Sequence, residues 1–281
     1  MAKQFQIITR ADDAGSSRSA NRAIAKAARI GIIKNISVMA PGAYVDEAAQ
    51  LLAANKAVCF GMHATLNAEW DRVKWGPVGA LPPGSGLTDE NGMFLSGPAQ
   101  FQATKPPPEL VMREYGAQLD KLCRAGFDIR YVDSHMFPEQ YIEGLDEATA
   151  DWAGRKGLLD HMHYYALPPG LDALLRDRRL LPFLRGIPAG QYFIVGHPAR
   201  GGREMRMTGN AWKSGRAIAR ERGLEAALYG SGAVRGILRA LGVTPLRYDE
   251  AVPGERLTAA DVLAMLGQLQ QKEEEHGNSP K

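Results

Sequence analysis

An apolar run over residues 5–9 ends, after Arg10 and Ala11, on the adjacent carboxylates Asp12 and Asp13, with a glycine at Gly15. Later apolar runs end in a related way: VCFGMHATL carries His63, IRYVDSH ends on Asp133 and His135, and QYFIVGH ends on His197. Carboxylates and imidazoles are side chains that move protons near neutral pH and ligate divalent cations. Two imidazoles with one carboxylate form a facial set that leaves positions open for water and a carbonyl oxygen, as a hydrolytic metal site requires. Taken alone, Asp-Asp-x-Gly reads as a solvated turn with a helix N-cap, and a single strand-end histidine reads as structural. What favours chemistry is the recurrence of such groups at one strand end after another.

The elements that must position these groups alternate. A strand over 5–9 precedes a helix over 20–30 stopped by Gly31, then come a strand over 35–40, a helix over 45–54 and a strand over 58–66. This alternation is the signature of a parallel sheet or barrel, where ligands bind at the C-terminal strand ends. Neighbours on an extended chain point to opposite faces, so Asp12 and Asp13 are expected to do different jobs. From 67 to 108, clustered Gly, Pro, Asn and Asp break the pattern. We read this as a long insertion after strand three that walls or covers the site, with Trp70 against the substrate and Trp75 in packing. Helices follow over 109–125, 146–156, 171–184, 217–228, 232–241 and 257–271, and strands over 129–135, 158–165, 191–197 and 245–248. His161 and His163 alternate along the strand over 158–165 and read as structural. The result is a single α/β domain over 1–270, with a polar tail over 271–281 expected to be disordered.

The chain has 281 residues, with 34 Lys and Arg against 31 Asp and Glu and a net charge of +3. That balance argues against nucleic acid as a partner. Cys59 and Cys123 have no metal-ligand spacing and read as buried free thiols in a reducing compartment. No stretch approaches a membrane span, and the N-terminus lacks a long apolar segment followed by a cleavage site. A soluble, cytoplasmic protein with no membrane contact is expected, with a homo-oligomer left open.

The motifs ADDAG at 11–15, GMHATLN at 61–67, YVDSH at 131–135 and GHPA at 196–199 resemble, in order and spacing, those of the YdjC-like carbohydrate deacetylases. SVMAPGA at 37–43 and RERGLEAAL at 220–228 extend the resemblance over nearly the whole chain. It implies a distorted (β/α) TIM-like barrel. It also implies a metal-dependent hydrolase that removes an N-acetyl group from an acetylated amino sugar or oligosaccharide. By the same resemblance Asp13, His63 and His135 bind one divalent metal ion, Zn or Mg, while Asp12 is the general base and His197 the general acid. Asp133 either orients one of these groups or caps its strand end. Ala14 replaces a larger family residue, and Met136, Phe137 and Pro138 stand where many members carry further histidines. Two other readings stay open, hydrolysis of another bond such as a phosphoester and a sugar-binding barrel without activity. Against the first, only Arg10, Arg200 and Arg203 supply cations near the strand ends. Against the second, binding alone needs neither Asp12 as a base nor His197 as an acid.

Overall fold

Residues 5–166 and 188–265 are described by the structure, a computed structural model. The helix expected over 171–184, the end of the C-terminal helix and the polar tail lie outside them. Strand β1 (Phe5–Ala14) is buried along almost its whole length, and it reaches through Asp12 and Asp13. Helix α1 (Arg18–Ile30) begins at the Ser17 N-cap, whose side chain accepts from the Ala20 N–H at 3.0 Å. Its Ala20, Ala23, Ile24 and Ala27 pack inward. Gly31 ends it for a reason other than left-handed geometry, since a Cβ there would stand 1.7 Å from the Tyr229 carbonyl oxygen.

Strands β2 (Asn35–Val38), β3 (Cys59–Ala64), β4 (Ile129–Ser134), β5 (Leu159–Asp160), β6 (Gly190–Gly196) and β7 (Val243–Leu246) join β1 in one parallel sheet. Its order is β5-β4-β3-β2-β1-β6, with β7 also on β1. One edge of β1 pairs with β6 along residues 5–11, and its other edge is shared. There β7 takes Phe5–Ile8, while β2 takes Arg10, Ala11 and Ala14. Asn35 closes the seam between β7 and β2: its amide donates to the carbonyls of Thr9 and Leu246, and its oxygen accepts from the Tyr248 N–H.

The sheet curls, because side chains from well-separated strands meet inside it. Tyr131 of β4 lies 4.4 Å from Tyr248 beyond β7, and Tyr164 beyond β5 lies 4.9 Å from the same ring. Phe193 N–H of β6 donates to Ala166 O at 2.8 Å, bringing the chain after β5 against the far side of the sheet. Aromatic rings therefore fill the half-barrel, and polar groups gather at its C-terminal mouth. Gly61 makes room for this filling, since a Cβ there would fall 2.2 Å from the Tyr131 ring.

Helices α2 (Val45–Leu52), α4 (Pro108–Arg124) and α5 (Leu145–Lys156) cover the outer face, with the short α3 (Phe101–Thr104) before α4. After β6 come α6 (Arg203–Met207), which the sequence reading did not anticipate, then α7 (Gly215–Tyr229) and α8 (Gly232–Ala240). Residues 65–97 hold only isolated bridges, yet Trp75, Leu87 and Phe94 are buried in the main core. Glu114 fastens this stretch to α4 by accepting from the N–H groups of Val78 and Gly79 at 2.9 and 2.8 Å.

Two sequence expectations need correction. The strand expected over 158–165 stops at Asp160, whose carboxylate accepts from Met162 N–H and turns His161–His163 into a 3₁₀ turn. Cys123 is exposed, because it falls on the outer side of α4, whereas Cys59 is buried with its thiol pushed up to about 12 by burial. Among the described residues no helix is long and apolar enough to cross a membrane.

Candidate metal centre at the mouth of the sheet

A break in the β1 ladder creates the site. Its register with β2 shifts between Ala11 and Ala14, and Asp13 takes φ 67°, a left-handed conformation that Asp tolerates better than most residues. A regular strand would send the two carboxylates to opposite faces. Here both come within metal-ligand reach of His63, Asp13 in a group with His135 and Asp12 in a group with Asp133. Directly after His135, Met136 and Phe137 are also left-handed, at φ 58° and 52°, so the chain turns sharply away from the site.

The imidazoles are oriented from behind. His63 Nδ1 is 2.6 Å from Asp133 Oδ2, and His135 Nε2 is 3.0 Å from Glu69 Oε2. Ionised carboxylates are acceptors only, so these contacts place the ring protons on the outer nitrogens. The inner nitrogens, His63 Nε2 and His135 Nδ1, then face each other at 3.2 Å. Asp13 Oδ1 lies 3.5 and 3.8 Å from them and is buried without a hydrogen-bond partner. Three buried donor atoms, two ring nitrogens and one unpartnered carboxylate oxygen, converge on a point that fits a cation. Two imidazoles and a carboxylate are also a donor set that divalent transition metals accept.

The field points the same way. Burial opposes charge on His63, but Asp133, then Asp12 and Asp13, outweigh it and push its pKa up to about 9. Burial opposes charge on Asp13 as well. Arg222, followed by His197, His135 and His63, reverses this and holds the carboxyl well below its usual range. Arg222 Nη1 donates to Asp13 Oδ2 at 2.6 Å, leaving Oδ1 for the centre.

Asp12 lies beside this group in a buried ion pair. Arg10 donates to both of its oxygens, at 2.7 and 2.8 Å, and also reaches Asp133 Oδ2 at 3.3 Å and the Tyr248 hydroxyl at 3.2 Å. His197 follows β6, half-buried, with its N–H donating to Glu225. The last registered pair, Ala11 with Gly196, leaves Asp12 and His197 as the next residues on adjacent strands. A cavity of about 160 Å³ opens at Asp13 and Arg222, and half-buried Trp70 forms part of its wall. Trp75 is buried behind it, donating to Asn67 O at 2.7 Å with its ring edge-on to His135.

The structure thus brings Asp12, Asp13, His63 and His135 together, sets His197 just past the end of β6 and puts Trp70 on the cavity wall. His161 and His163 stand outside this group. His161 stacks on Phe137 with its pKa pushed down to about 4, by burial first, and His163 Nδ1 contacts the Gly254 carbonyl. Two partners escaped the sequence reading, Glu69 behind His135 and Arg222 on Asp13, and Arg10, read only as a strand-end cation, holds Asp12. The signals for them were present as a Glu between GMHATLN and Trp70, an Arg leading into ADDAG, and the second Arg of RERGLEAAL.

Residues 6–275 match the profile of the family described as YdjC-like protein. A carbohydrate deacetylase of Listeria innocua is 28% identical over 152 residues, which cover 53% of this chain and 59% of that protein. The carbohydrate deacetylase of Thermoanaerobacter pseudethanolicus is 25% identical over 217 residues, covering 69% of this chain and 80% of that one. Against the Listeria protein the match therefore spans little more than half of the relative's length. Among solved structures, a candidate cellobiose-phosphate cleavage protein of Enterococcus faecalis V583 superposes with a TM-score of 0.68 at 19% identity. That superposition covers 88% of this chain and 98% of the other, and it shows a shared fold.

Proposed function

The chain belongs to the YdjC-like protein family, and from that membership and the geometry of the mouth we propose that it is a metal-dependent carbohydrate deacetylase. Its reaction is hydrolysis of the N-acetyl amide of an acetylated amino sugar or oligosaccharide. The observation that carries this reading is the inward convergence of His63 Nε2, His135 Nδ1 and the unpartnered Asp13 Oδ1 beside a cavity. These three residues are the proposed ligands, and their nitrogen-rich set suits Zn better than Mg. When bound, a divalent ion polarises the amide carbonyl and makes water a stronger acid.

The remaining work falls to the protein's own groups. Asp12 is the proposed general base, since an oxygen that accepts one N–H from Arg10 keeps a lone pair for a proton. His197, next to it across the β1–β6 boundary, is the proposed general acid that protonates the leaving amine. Asp133 and Glu69 hold the imidazoles in one tautomer, and Arg222 balances the charge of Asp13. Trp70 is a wall against the substrate. The sheet serves as a distorted barrel whose mouth collects these strand ends.

The test is acetate release from a panel of N-acetylated sugars, with and without a chelator. Activity lost to the chelator and restored by added metal supports the reading. Asp12→Asn and His197→Ala should each lower kcat by roughly a hundredfold with metal content retained, and wild-type kcat/KM should be bell-shaped in pH. Near wild-type turnover in either variant would move that proton step to another group.

A further inference from the structure

The near balance of charge over the chain hides a segregation. Residues 15–30 and 198–225 together hold 11 Lys and Arg against 3 Glu, so they carry +8 in a chain whose net charge is +3. The structure gathers these two stretches on one face. Arg18, Arg22, Lys26 and Arg29 recur at helical spacing along the exposed side of α1. One groove runs between Arg18, Arg22, Arg200 and Arg203, and a second takes Arg22 and Arg200 on to Lys26 and Arg29. A third begins at Gly201 and Gly202 and is lined by Arg206, Arg216 and Arg220.

Among the described residues Glu204 is the one acid that lines these grooves, and Arg22 is the one of their nine cations in an ion pair, with Glu47 at 3.3 Å. Glu204 is committed to the start of α1, accepting from the N–H groups of Arg18 and Ser19 at 3.1 and 2.8 Å. Exposed cations this numerous and this poorly neutralised repel one another, and a polyanion relieves the repulsion. Apolar side chains decide which polyanion. Trp212 is 81% exposed and Met207 46% exposed. Met207 lines the first groove, and Trp212 stands on the turn before α7, where Asn210 Oδ1 accepts from its N–H at 3.1 Å. A nucleic acid duplex offers no apolar layer to a protruding indole and thioether. The interfacial zone of a bilayer takes both, and long arginine stems reach its headgroups.

We propose that this face docks on an anionic lipid bilayer, with Trp212 and Met207 entering the interface and the nine cations meeting lipid phosphates. The inference goes beyond the amide-hydrolase reading and does not rest on it. That no described helix is long and apolar enough to cross a membrane concerns spanning, whereas docking needs only a surface. The cavity at Asp13 shares Tyr44, Glu204 and Met207 with the first groove, so the docked face borders the mouth of the sheet.

The test is sedimentation of the full chain with vesicles of phosphatidylcholine alone and of phosphatidylcholine mixed with phosphatidylglycerol. Binding is expected to the mixed vesicles only, and it should fall as salt is added. Arg200→Gln with Arg203→Gln should weaken it about 25-fold, roughly fivefold for each cation removed. Arg113→Gln with Arg124→Gln, at exposed positions of α4, should leave it unchanged. Trp212→Phe should remove the blue shift of tryptophan fluorescence that the mixed vesicles produce. Equal sedimentation with both kinds of vesicle, or with neither, overturns the proposal. Equal loss in the two Arg pairs, or a blue shift kept in Trp212→Phe, overturns it as well. A single-stranded oligodeoxynucleotide that displaces the vesicles at a lower phosphate concentration than the lipid would assign the face to nucleic acid instead.

Discussion

At Asp13 one carboxylate oxygen is taken by Arg222 at 2.6 Å and the other is left bare toward two imidazole nitrogens. The division makes the carboxylate a one-oxygen ligand whose direction is set by a partner 209 residues away in sequence. Each histidine is held in the same manner, by Asp133 at 2.6 Å and Glu69 at 3.0 Å. Removing a ligand and removing an orienting partner should therefore have separable effects. His63→Ala should bring metal content, measured by elemental analysis, close to zero in a folded protein. Glu69→Ala should keep the site and weaken affinity by about 10- to 100-fold in a chelator competition. Undiminished metal in His63→Ala would remove that residue from the centre, and undiminished affinity in Glu69→Ala would mean that the carboxylate does not set the His135 ring.

Among the elements, β3 carries His63 and β4 leads directly into His135, and the packing between these strands depends on a glycine. Gly61 stands two residues before His63 and leaves the space that the Tyr131 ring occupies, with the Tyr131 hydroxyl 2.9 Å from Ser37 Oγ. Gly61→Ala should cost on the order of 1–3 kcal/mol by overpacking. A melting temperature equal to wild type would show that the ring moves aside freely. The strand ends themselves were legible in the sequence, because a buried parallel strand reads as an apolar run and its polar terminus stands out against it. Asp12, Asp13, His63, His135 and His197 could be found this way. Glu69 could not, since it lies in irregular chain and meets His135 across 66 residues. The left-handed turn at Asp13 was equally hidden, because nothing in ADDAG distinguishes a regular strand end from one with a shifted register. His161 and His163 misled in the opposite sense: their alternation imitates a strand, while Asp160 caps a turn.

Among the described residues, Arg222 and Arg10 hold the buried Asp13 and Asp133 carboxyls below their ordinary range, whereas burial raises those of Glu114 and Glu139. Burial pushes the Glu139 carboxyl up to about 7 from an ordinary 4.5, against a hydrogen bond donated by Ser134. The folded chain then keeps a proton that the unfolded chain has released, so this contribution to stability is complete below about 4.5 and is lost as pH rises through 7. Glu139→Gln removes the titration, and the melting temperature of the variant minus that of wild type should grow by several degrees between pH 5 and pH 8. A difference that stays constant would show that Glu139 does not titrate in this range. The shared edge of β1 bears on a different matter, the timing of folding. Residues Phe5–Ile8 are made early but find their partners only in β6 and in Val243–Leu246. At ribosomal speeds the intervening chain takes on the order of tens of seconds to appear. Throughout that interval a hydrophobic strand has both edges unpaired, which is the state most open to aggregation. The Arg10 contact to Tyr248 spans 238 residues, so the site cannot be complete before Tyr248 has left the ribosome. Yield of soluble protein should therefore respond to slower growth and to chaperone supply more strongly than the stability of the finished fold suggests.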